Sequence, residues 1–346
     1  MQNHNYTHIM KGALLVNLGS PNSTSTKDVR NYLDEFLMDE RVIDVPYLMR
    51  AFLVKGIILN TRPKKSAAAY KKIWWDEGSP LIVLSQRLHK KVHENTDIPV
   101  ELSMRYGNPS MKSGIQKLAE QGVTEILLIP LYPQFAMATT ETIEVLAKKI
   151  IKKQFPQIKL TMVPAFYNKP DYVEALSESI QNELTKLAPE HLLFSYHGVP
   201  ERHIKKSDIT KSHCKIDGSC CNTPSPAHEF CYRHQCYETT KQVAEKLNLK
   251  EGSYSTSFQS RLGSDPWLQP YTDKTIDNFA KNGVHKLAVV TPAFVSDCLE
   301  TLEEIGMEAK HSYMENGGKE FNMIPCLNDD EKWVATLVSW IHTWAK

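Results

Sequence analysis

The chain has 346 residues, enough for two domains of ordinary size. Its hydrophobic content of 41% and charged content of 23% are typical of globular proteins that dissolve in water. With 41 basic and 40 acidic residues the formal net charge is +1, so no overall field attracts nucleic acid, and we expect no nucleic-acid partner. We also read no secretory signal in MQNHNYTHIMKG and no apolar run approaching the roughly 20 residues that span a bilayer. These features predict a cytoplasmic protein.

Short apolar segments that end in Gly or Pro alternate along the chain with longer segments of helical periodicity. The clearest strand candidates are residues 13–19, 125–130, 192–198 and 286–292. Each is almost continuously apolar, as strands covered by helices on both faces should be. The pattern predicts an α/β fold with parallel sheets.

Two helical segments stand apart from this alternation. Residues 46–62 combine bulky apolar side chains with Arg50, Lys55 and Arg62, and by pattern alone this helix could equally be an ordinary buried one. Near the C-terminus, 333–344 carries three Trp residues, a Leu and an Ile on one helical stripe. We interpret that stripe as core packing of a helix folded back on the first domain.

The chain contains an internal repeat. At an offset of 159, PQFAMATTETIE (133–144) matches PAFVSDCLETLE (292–303) in Pro, Phe, Glu, Thr and Glu. Three further matches occur in the same order, which predicts two doubly wound, Rossmann-like domains of similar topology. We place the first domain at 1–175, the second at 176–320 with a cysteine-rich insertion at 207–236, and a C-terminal helix at 321–346.

The two copies differ where ligands bind in such folds, outside the carboxyl ends of the strands. Leu18 in the first copy is matched by His197 in the second, and Glu141 is matched by Glu300. Two facing domains would form a cleft lined by these strand ends. The second copy alone brings a His and the first residues of an acidic helix to that cleft.

His197 and Glu300 are the candidate catalytic residues. A neutral His and a carboxylate that converge in a cleft can bind a borderline divalent cation or accept protons from a weakly acidic N–H. Glu304 lies at i+4 from Glu300, and Asp297 at i−3, on one helical side. Such a row can carry protons or a hydrated cation, although an ordinary solvated face or helix capping would explain the same acids.

Motifs for other chemistries are missing from the sequence. We find no GxGxxG after a strand and no GxxxxGK[ST], so we expect no nucleotide cofactor. GxSxG does not occur either.

Five of the seven cysteines fall between His213 and Cys236. In a reducing compartment structural disulfides are disfavoured, which points to a metal. No CxxC pair is present, as a zinc ribbon would need, yet nearby histidines keep zinc open. Four thiolates would suit a two-iron two-sulfur cluster, and free thiols are the third reading.

Seven segments together resemble the ferrochelatase family, lyases that insert ferrous iron into a porphyrin at the end of haem synthesis. The resemblance runs from about Gly12 to the last helix. It rests on LLVNLGSP (14–21), RPKKSAAAYKKIWWDEGSPL (62–81), LSMRYGNPS (102–110), IPLYPQFAMATTE (129–141), SYHGVPERH (195–203), QSRLGSDPWLQPYTD (259–273) and TPAFVSDCLETLEEI (291–305).

The resemblance implies roles for individual residues. His197 is similar to the active-site His that takes pyrrole protons or binds the substrate iron, and Glu300 to the Glu facing it across the macrocycle. Asp297 and Glu304 resemble the acidic path leading away, whereas Cys298 departs from the pattern because relatives often have a His there. Positions matching the family's porphyrin-binding residues are Leu18, Arg62, Tyr70, Ser79, Arg105 and Trp267.

The resemblance also bears on the cysteines, the membrane and the substrate. A subset of bacterial ferrochelatases places a two-iron two-sulfur cluster in the second domain after SYHG, which implies a cluster here. The ligands we predict are Cys214, Cys221, Cys231 and Cys236, with Cys220 as the alternative. The family further implies that helix 46–62 forms a lip of the cleft that touches the membrane surface, weakly and peripherally.

Protoporphyrin IX is the substrate we expect, because Leu18 stands where the coproporphyrin branch tends to carry a Tyr. The alternatives are a coproporphyrin III ferrochelatase and a non-catalytic sensor of porphyrin or iron. The sequence leaves open whether the protein is a monomer or a homodimer.

Overall fold

The computed structural model describes residues 9–261, 263 and 265–346. Residues 1–8, on which most of the expectation about a secretory signal depends, lie outside this range. The strands are β1 (Lys11–Asn17), β2 (Val100–Met104), β3 (Glu125–Pro130), β4 (Lys159–Met162), β5 (His191–His197), β6 (Tyr254–Gln259), β7 (Lys286–Val290) and β8 (Glu320–Met323).

The helices follow the same alternation along the chain. They are α1 (Thr26–Leu37), α2 (Tyr47–Ala51), α3 (Leu59–Ile73), α4 (Pro80–Glu94), α5 (Met111–Glu120), α6 (Thr142–Gln154), α7 (Pro170–Leu187), α8 (Glu201–Ser207), α9 (Tyr232–Lys246), α10 (Thr272–Lys281), α11 (Lys310–Glu315) and α12 (Glu331–Ala345). π-helical segments occur at Phe52–Ile58, Met137–Glu141 and Glu300–Ala309. Short 3₁₀ turns occur at Ser219–Asn222 and Pro226–Phe230.

The strands form two parallel four-stranded sheets with the same order, β2-β1-β3-β4 and β6-β5-β7-β8. Each strand of the first sheet therefore has a counterpart four strands later in the second. The predicted fold class, two similar Rossmann-like α/β domains with parallel sheets, is confirmed. The central strands β1 and β5 are buried along almost their whole length, which explains their continuous apolar sequence.

One hydrophobic core joins the two sheets. It includes Leu15 of β1, Phe194 of β5 and Trp333 of α12, all fully buried. Separate clusters cover the other face of each sheet. Helix α12 packs against α4 and α7, and Trp333 lies among the rings of Phe166 and Tyr172. The domain boundaries proposed from the sequence stay predictions.

Segment 46–62 continues into a longer helical stretch made of α2, the π-helical segment Phe52–Ile58 and α3. Pro63 lies inside α3 and cannot donate a backbone hydrogen bond to the carbonyl of Leu59. Arg30 of α1 supplies that hydrogen bond instead. The turn of α3 that precedes Pro63 is thus hydrogen-bonded to the neighbouring helix α1.

This helical stretch presents a large apolar surface to solvent. The side chains of Tyr47, Leu48, Met49, Phe52 and Ile57 are 47–80% exposed. Across the ranges that the structure describes, no helix is long and apolar enough to cross a membrane.

Candidate active site

A cavity of about 470 Å³, including the space at its mouth, lies where the two halves meet. Its first-half wall comes from the end of β1, the residues after β1 and β3, helices α1 and α3 and the start of α4, and its second-half wall from the loop after β7 and the first residue of the π-helical segment. This is the strand-end position expected for a ligand site in open α/β sheets. The residues that line it are Asn17, Leu18, Gly19, Ser20, Tyr32, Tyr70, Ser79, Leu81, Leu131, Tyr132, Phe294, Val295, Ser296, Cys298, Leu299 and Glu300.

The turn after β1 depends on a glycine. Gly19 has φ +113°, and a Cβ there would lie 1.9 Å from the carbonyl oxygen of Tyr106. Any side chain would push apart the strand ends of β1 and β2. Gly19 thereby keeps the first-half wall of the cavity close to the sheet.

His197 is the last residue of β5, so it lies at the carboxyl edge of the second sheet. Its Nδ1 lies 2.6 Å from the carbonyl oxygen of Gly198. A carbonyl oxygen can only accept, so Nδ1 carries the hydrogen, and in the neutral form of the ring Nε2 has the lone pair. The ring contacts Trp267 and Phe294 at centroid distances of 6.4 and 6.3 Å. The imidazole is therefore oriented, with one nitrogen able to take a proton or bind a cation.

The acidic helix is π-helical over Glu300–Ala309, a geometry frequent at functional sites. Glu300 lines the cavity, and its backbone carbonyl accepts a hydrogen bond of 2.8 Å from Nε2 of Gln259. The same Gln259 nitrogen lies 3.3 Å from Oε2 of Glu304. Gln259 is the register partner of His197 on the neighbouring strand β6, so its side chain contacts Glu300 and Glu304 from the strand beside His197.

Glu304 is held behind the cavity. Its carboxylate accepts a 2.8 Å hydrogen bond from the amide of Ser260 and another from the Ser260 hydroxyl. Burial raises the pKa of Glu304, and the nearby negative charge of Glu300 acts in the same direction. Ser260 and the proximity of His197 oppose that rise. Glu304 is therefore suited to hold a proton close to His197.

Asp297 takes part in a different set of contacts. Its carboxylate accepts hydrogen bonds from the hydroxyl of Thr301 at 2.9 Å and from Nδ2 of Asn328 at 2.8 Å. It is 5% exposed and does not line the cavity. The contacts of Asp297 serve to fix the loop that precedes the π-helical segment. Its predicted role in a proton or metal path stays a prediction.

Cys298 does line the cavity, next to Glu300. Burial raises the pKa of its thiol well above the usual range, and the charge of Glu300 and a hydrogen bond with that side chain raise it further. The position where relatives often have a His thus holds a protonated thiol beside the carboxylate.

Of the six predicted porphyrin-binding residues, Leu18, Tyr70 and Ser79 line the cavity. Trp267 lies near it through its contact with the His197 ring. Arg62 is exposed on α3, on the lip helix. The six residues therefore spread from the cavity floor to the surface, and their roles stay predictions.

Arg105 is engaged within the protein. Its guanidinium pairs with the buried carboxylate of Asp39 and donates from Nε to the Thr142 hydroxyl at 2.8 Å. Burial alone would raise the pKa of Asp39. Hydrogen bonds from Thr142 and from the amide of Arg41, together with the charge of Arg105, outweigh burial and lower it. Asp39 and Arg105 form a buried ion pair beside the cavity.

Two tyrosines of the cavity wall were missed from the sequence. The Tyr132 hydroxyl donates to Oδ1 of Asn17 at 2.9 Å, and the Tyr32 hydroxyl donates to the carbonyl of Gly19 at 3.1 Å. Tyr132 follows β3 by two residues, so its strand-end position could have indicated it. Tyr32 lies inside α1, and no local pattern distinguishes it.

The clustered cysteines lie apart from this cavity, in the insertion between α8 and α9. Cys231 hydrogen-bonds with both Cys214 and Cys221 through their side chains. Burial raises the pKa of Cys214 to about 11. Nε of Arg233 lies 3.3 Å from Sγ of Cys221, and Nη2 lies 3.5 Å from Sγ of Cys220. Four of the five thiols therefore belong to one contact group around Arg233.

The fifth thiol, Cys236, is fully buried on α9. It hydrogen-bonds with Tyr232, and burial raises its pKa well above the usual range. Among residues 9–261, 263 and 265–346, no group of three or more His, Cys, Asp or Glu side chains has the arrangement of a metal site. The cluster predicted from the sequence is thus not shown.

Known proteins resemble this chain along nearly its whole length. The family model for ferrochelatase matches residues 10–344. A ferrochelatase of Pseudomonas fluorescens (strain Pf0-1) is 49% identical over 328 residues, covering 94% of this chain and 96% of that protein. A ferrochelatase of Opitutus terrae is 46% identical over 337 residues, covering 96% and 97%.

A solved structure of SirB from Bacillus subtilis with Fe³⁺ superposes with a TM-score of 0.52 at 11% identity, covering 96% of this chain and 95% of that one. That likeness concerns the fold alone. The identity and coverage of the bacterial relatives go further: the chain belongs to the ferrochelatase family, the lyases that insert ferrous iron into a porphyrin in haem biosynthesis.

Proposed function

We propose that the protein inserts Fe²⁺ into protoporphyrin IX in the cleft between its two halves, with His197 as the proton acceptor and Glu300 as the cavity carboxylate that meets the ion. The observation that carries this proposal is the orientation of His197, whose Nδ1 donates to Gly198 and leaves Nε2 free. Insertion requires two pyrrole N–H protons to leave while the ion exchanges its waters for nitrogen. A neutral imidazole is a suitable base for the first task, and carboxylate oxygen is an exchangeable ligand for the second.

The proton leaving His197 needs an acceptor, and Glu304 is the group we propose. Its raised pKa and its contact with Gln259 support a role in which it holds a proton behind the cavity. Glu300, which faces the cavity itself, would meet the incoming cation first. The apolar side chains of Leu18, Leu81 and Leu131 offer the flat macrocycle a dry wall on the first-half side.

Protoporphyrin IX is preferred over coproporphyrin III on the same wall. Leu18 lines this wall together with Leu81 and Leu131, and the additional propionates of coproporphyrin III would be desolvated against these aliphatic side chains. An anaerobic assay of the wild-type protein with Fe²⁺ and each porphyrin tests this choice. We expect turnover with protoporphyrin IX at least about tenfold faster, in kcat/KM, since one desolvated carboxylate costs more than 1.4 kcal/mol. Faster turnover of coproporphyrin III would reverse the assignment, and tight binding without turnover would make the protein a sensor.

The cysteines are proposed to hold a two-iron two-sulfur cluster, which would supply electron-transfer or structural chemistry away from the cleft. The donor set supports this: Cys231 is in hydrogen-bonding contact with both Cys214 and Cys221, and Arg233 directs N–H groups at sulfur. For the fourth ligand we choose Cys220, because it shares Arg233 with Cys221 and accepts at 3.2 Å from the amide of Lys215.

Visible absorption of anaerobically purified protein tests the cluster and its ligands. We expect the colour of a two-iron two-sulfur centre in wild type, its loss in Cys220→Ser and its retention in Cys236→Ser. Colour that survives Cys220→Ser but not Cys236→Ser would restore the ligand set first predicted. A colourless wild type with one zinc ion per chain would overturn the cluster.

Weak attachment to an anionic membrane surface is proposed for the exposed apolar face of Tyr47–Ile57. Five large apolar side chains there are exposed on one continuous helical stretch, and the half-exposed ammonium of Lys55 lies beside them, 3.9 Å from Asp34. Sedimentation with phosphatidylglycerol vesicles should capture wild type, whereas Leu48→Asp/Phe52→Asp should reduce binding about tenfold or more. Met307→Asp, a control at an exposed apolar residue elsewhere, should bind like wild type. Equal recovery of all three proteins would exclude this surface.

A further inference from the structure

The cysteine insertion also contains three histidines in contact. The rings of His228 and His234 are stacked, with centroids 3.5 Å apart and planes 13° apart. His213 meets His228 edge to face, and their Nε2 atoms are 3.3 Å apart. All three side chains are half-buried, so the group is shielded on one side and reachable from solvent on the other.

Three ligand-type atoms converge at one point of this group. Nε2 of His213 lies 3.1 Å from the carbonyl oxygen of Cys220, and Nε2 of His228 lies 3.3 Å from the same oxygen. With the 3.3 Å between the two nitrogens, the three atoms form a nearly equilateral triangle. They come from three separate turns of the insertion, so no local repeat imposes the triangle.

Hydrogen bonds can hold this triangle when each Nε2 carries a hydrogen, because the carbonyl oxygen of Cys220 has two lone pairs and accepts from both rings. In the tautomers that leave both Nε2 atoms unprotonated, the two nitrogens and the oxygen present three lone pairs to one point. Three converging lone pairs are a ligand set for a cation.

The size of the triangle suits a first-row divalent metal. Metal–nitrogen distances of about 2.0–2.1 Å place two tetrahedral ligands about 3.3–3.4 Å apart, and octahedral neighbours about 2.9 Å apart. The edges of the triangle, 3.1, 3.3 and 3.3 Å, lie between the octahedral and the tetrahedral separation or close to the tetrahedral one. An ion at that distance would lie less than about 1 Å above the plane of the three atoms, on a site with open positions for water.

The surroundings hold the two imidazoles in place. His234 stacks on His228 while its own Nδ1 donates to the carbonyl of Cys221 at 2.8 Å. The amide of His213 donates to Oδ2 of Asp208 at 2.9 Å. The carboxylate of Glu238 is close enough to His228 to interact with its charge, which favours a cation there.

We propose that Nε2 of His213, Nε2 of His228 and the carbonyl oxygen of Cys220 form a binding site for a borderline divalent transition-metal ion. The site differs from the proposed cluster, since it uses the backbone of Cys220 and no sulfur. It differs from the porphyrin cleft, since none of its residues lines that cavity. The ion would cross-link three turns of the insertion and expose its remaining positions to water.

Cobalt(II) is the probe that tests this site, because its visible bands report the ligands. The full-length protein, freed of loosely held metal by a chelator, is titrated anaerobically with Co²⁺ and the bound metal is counted. We expect His213→Gln and His228→Gln each to weaken one Co²⁺ equivalent of the wild type by at least about tenfold. The lost absorption should contain d–d bands without a thiolate-to-cobalt charge-transfer band. Glutamine can still donate to Cys220, so the turn keeps a hydrogen bond.

Two controls separate ligation from damage to the insertion. His234→Gln removes a ring from the same histidine group without removing a proposed ligand, and should keep the Co²⁺ equivalent. His311→Gln changes an exposed histidine in α11 and should bind like wild type. The inference is overturned if His213→Gln or His228→Gln binds Co²⁺ like wild type, if His234→Gln loses it as well, or if the lost band is a thiolate band.

Discussion

The two halves of the molecule have the same sheet order but different chemistry at equivalent positions. In the first half Leu18 directly follows β1, whereas in the second half His197 is the last residue of β5. Glu141 of the first half pairs with Arg41 at 3.0 Å, whereas its counterpart Glu300 lines the cavity. The first half therefore provides a wall, and the second provides the ionisable groups. We therefore expect the reaction to depend on the strand ends at which the two copies differ.

The largest effect on kcat is expected when the two matched glutamates, Glu300 and Glu141, are neutralised separately and compared. Glu300→Gln should lower kcat for Fe²⁺ insertion by about 10²–10⁴-fold, because an exchangeable carboxylate at the cavity is lost. Glu141→Gln removes only a partly exposed ion pair, which is worth about 1 kcal/mol or less, and should leave kcat nearly unchanged. Steady-state assays under anaerobic conditions measure both. Equal losses of kcat in Glu300→Gln and Glu141→Gln would mean that both halves contribute to the reaction.

The next effect concerns stability in the first half. Asp39→Asn leaves Arg105 without its buried partner and should lower the free energy of unfolding by about 3–5 kcal/mol. Glu304→Gln, a buried acid of the second half, keeps the shape of the side chain and should cost about 1 kcal/mol. Urea unfolding compares the two. A larger loss of unfolding free energy in Glu304→Gln than in Asp39→Asn would contradict the assignment of Asp39 to a structural ion pair and of Glu304 to the reaction.

A smaller effect is expected at a contact between the halves. Asp44 of the first half is buried and faces three groups of α8 in the second: Arg202 at 2.8 Å, His203 at 3.2 Å and Lys206 at 3.3 Å. Burial alone would raise the pKa of Asp44, but Arg202 and His203 outweigh it and hold the pKa well below its usual range. Asp44→Asn should cost about 1–3 kcal/mol, since two of the partners are partly exposed.

The pH dependence of that contact has a defined sign. Because the folded pKa of Asp44 is lowered, its stabilisation is complete above the unfolded value of about 3.9 and declines as pH falls below it. The difference in unfolding free energy between wild type and Asp44→Asn should therefore shrink from pH 6 to pH 3. Asp265→Asn, at an exposed partner of Arg202, is the control and should lie near wild type at every pH. A difference that grows in acid would rule out the assigned charge state.

The smallest effect is expected at Cys298. Its thiol hydrogen-bonds with Glu300, and a serine hydroxyl can make the same contact. Cys298→Ser should change kcat by about tenfold or less, the size of one hydrogen bond. A loss as large as that of Glu300→Gln would give the thiol a direct part in metal transfer.

The sequence predicted some parts of the fold and the site but not others. The repeat predicted both sheets, because buried parallel strands have continuous apolar runs and matched strand ends share one edge. The same argument brought Leu18 and Glu300 to the cavity. It did not predict the π-helical form of Glu300–Ala309, since an extra residue per turn is stabilised by packing and not by local pattern.

Contacts between residues far apart in the chain were also not predicted from the sequence. Asp297 is held by Asn328, and Arg105 by Asp39, through contacts between segments far apart in the chain. Spacing along a helix could place Asp297 beside Glu300 but could not show where its carboxylate points. The histidine triangle of the insertion depends on three turns whose relative positions no periodicity encodes.

The central claim is that the reactive base belongs to the second half alone, at His197. Single-turnover Fe²⁺ insertion into pre-bound protoporphyrin IX, compared between wild type and His197→Ala, tests it most directly. We predict a rate at least about 10²-fold lower in His197→Ala, with porphyrin affinity, followed by fluorescence quenching, within about threefold of wild type. A His197→Ala protein that inserts iron at the wild-type rate would contradict the account.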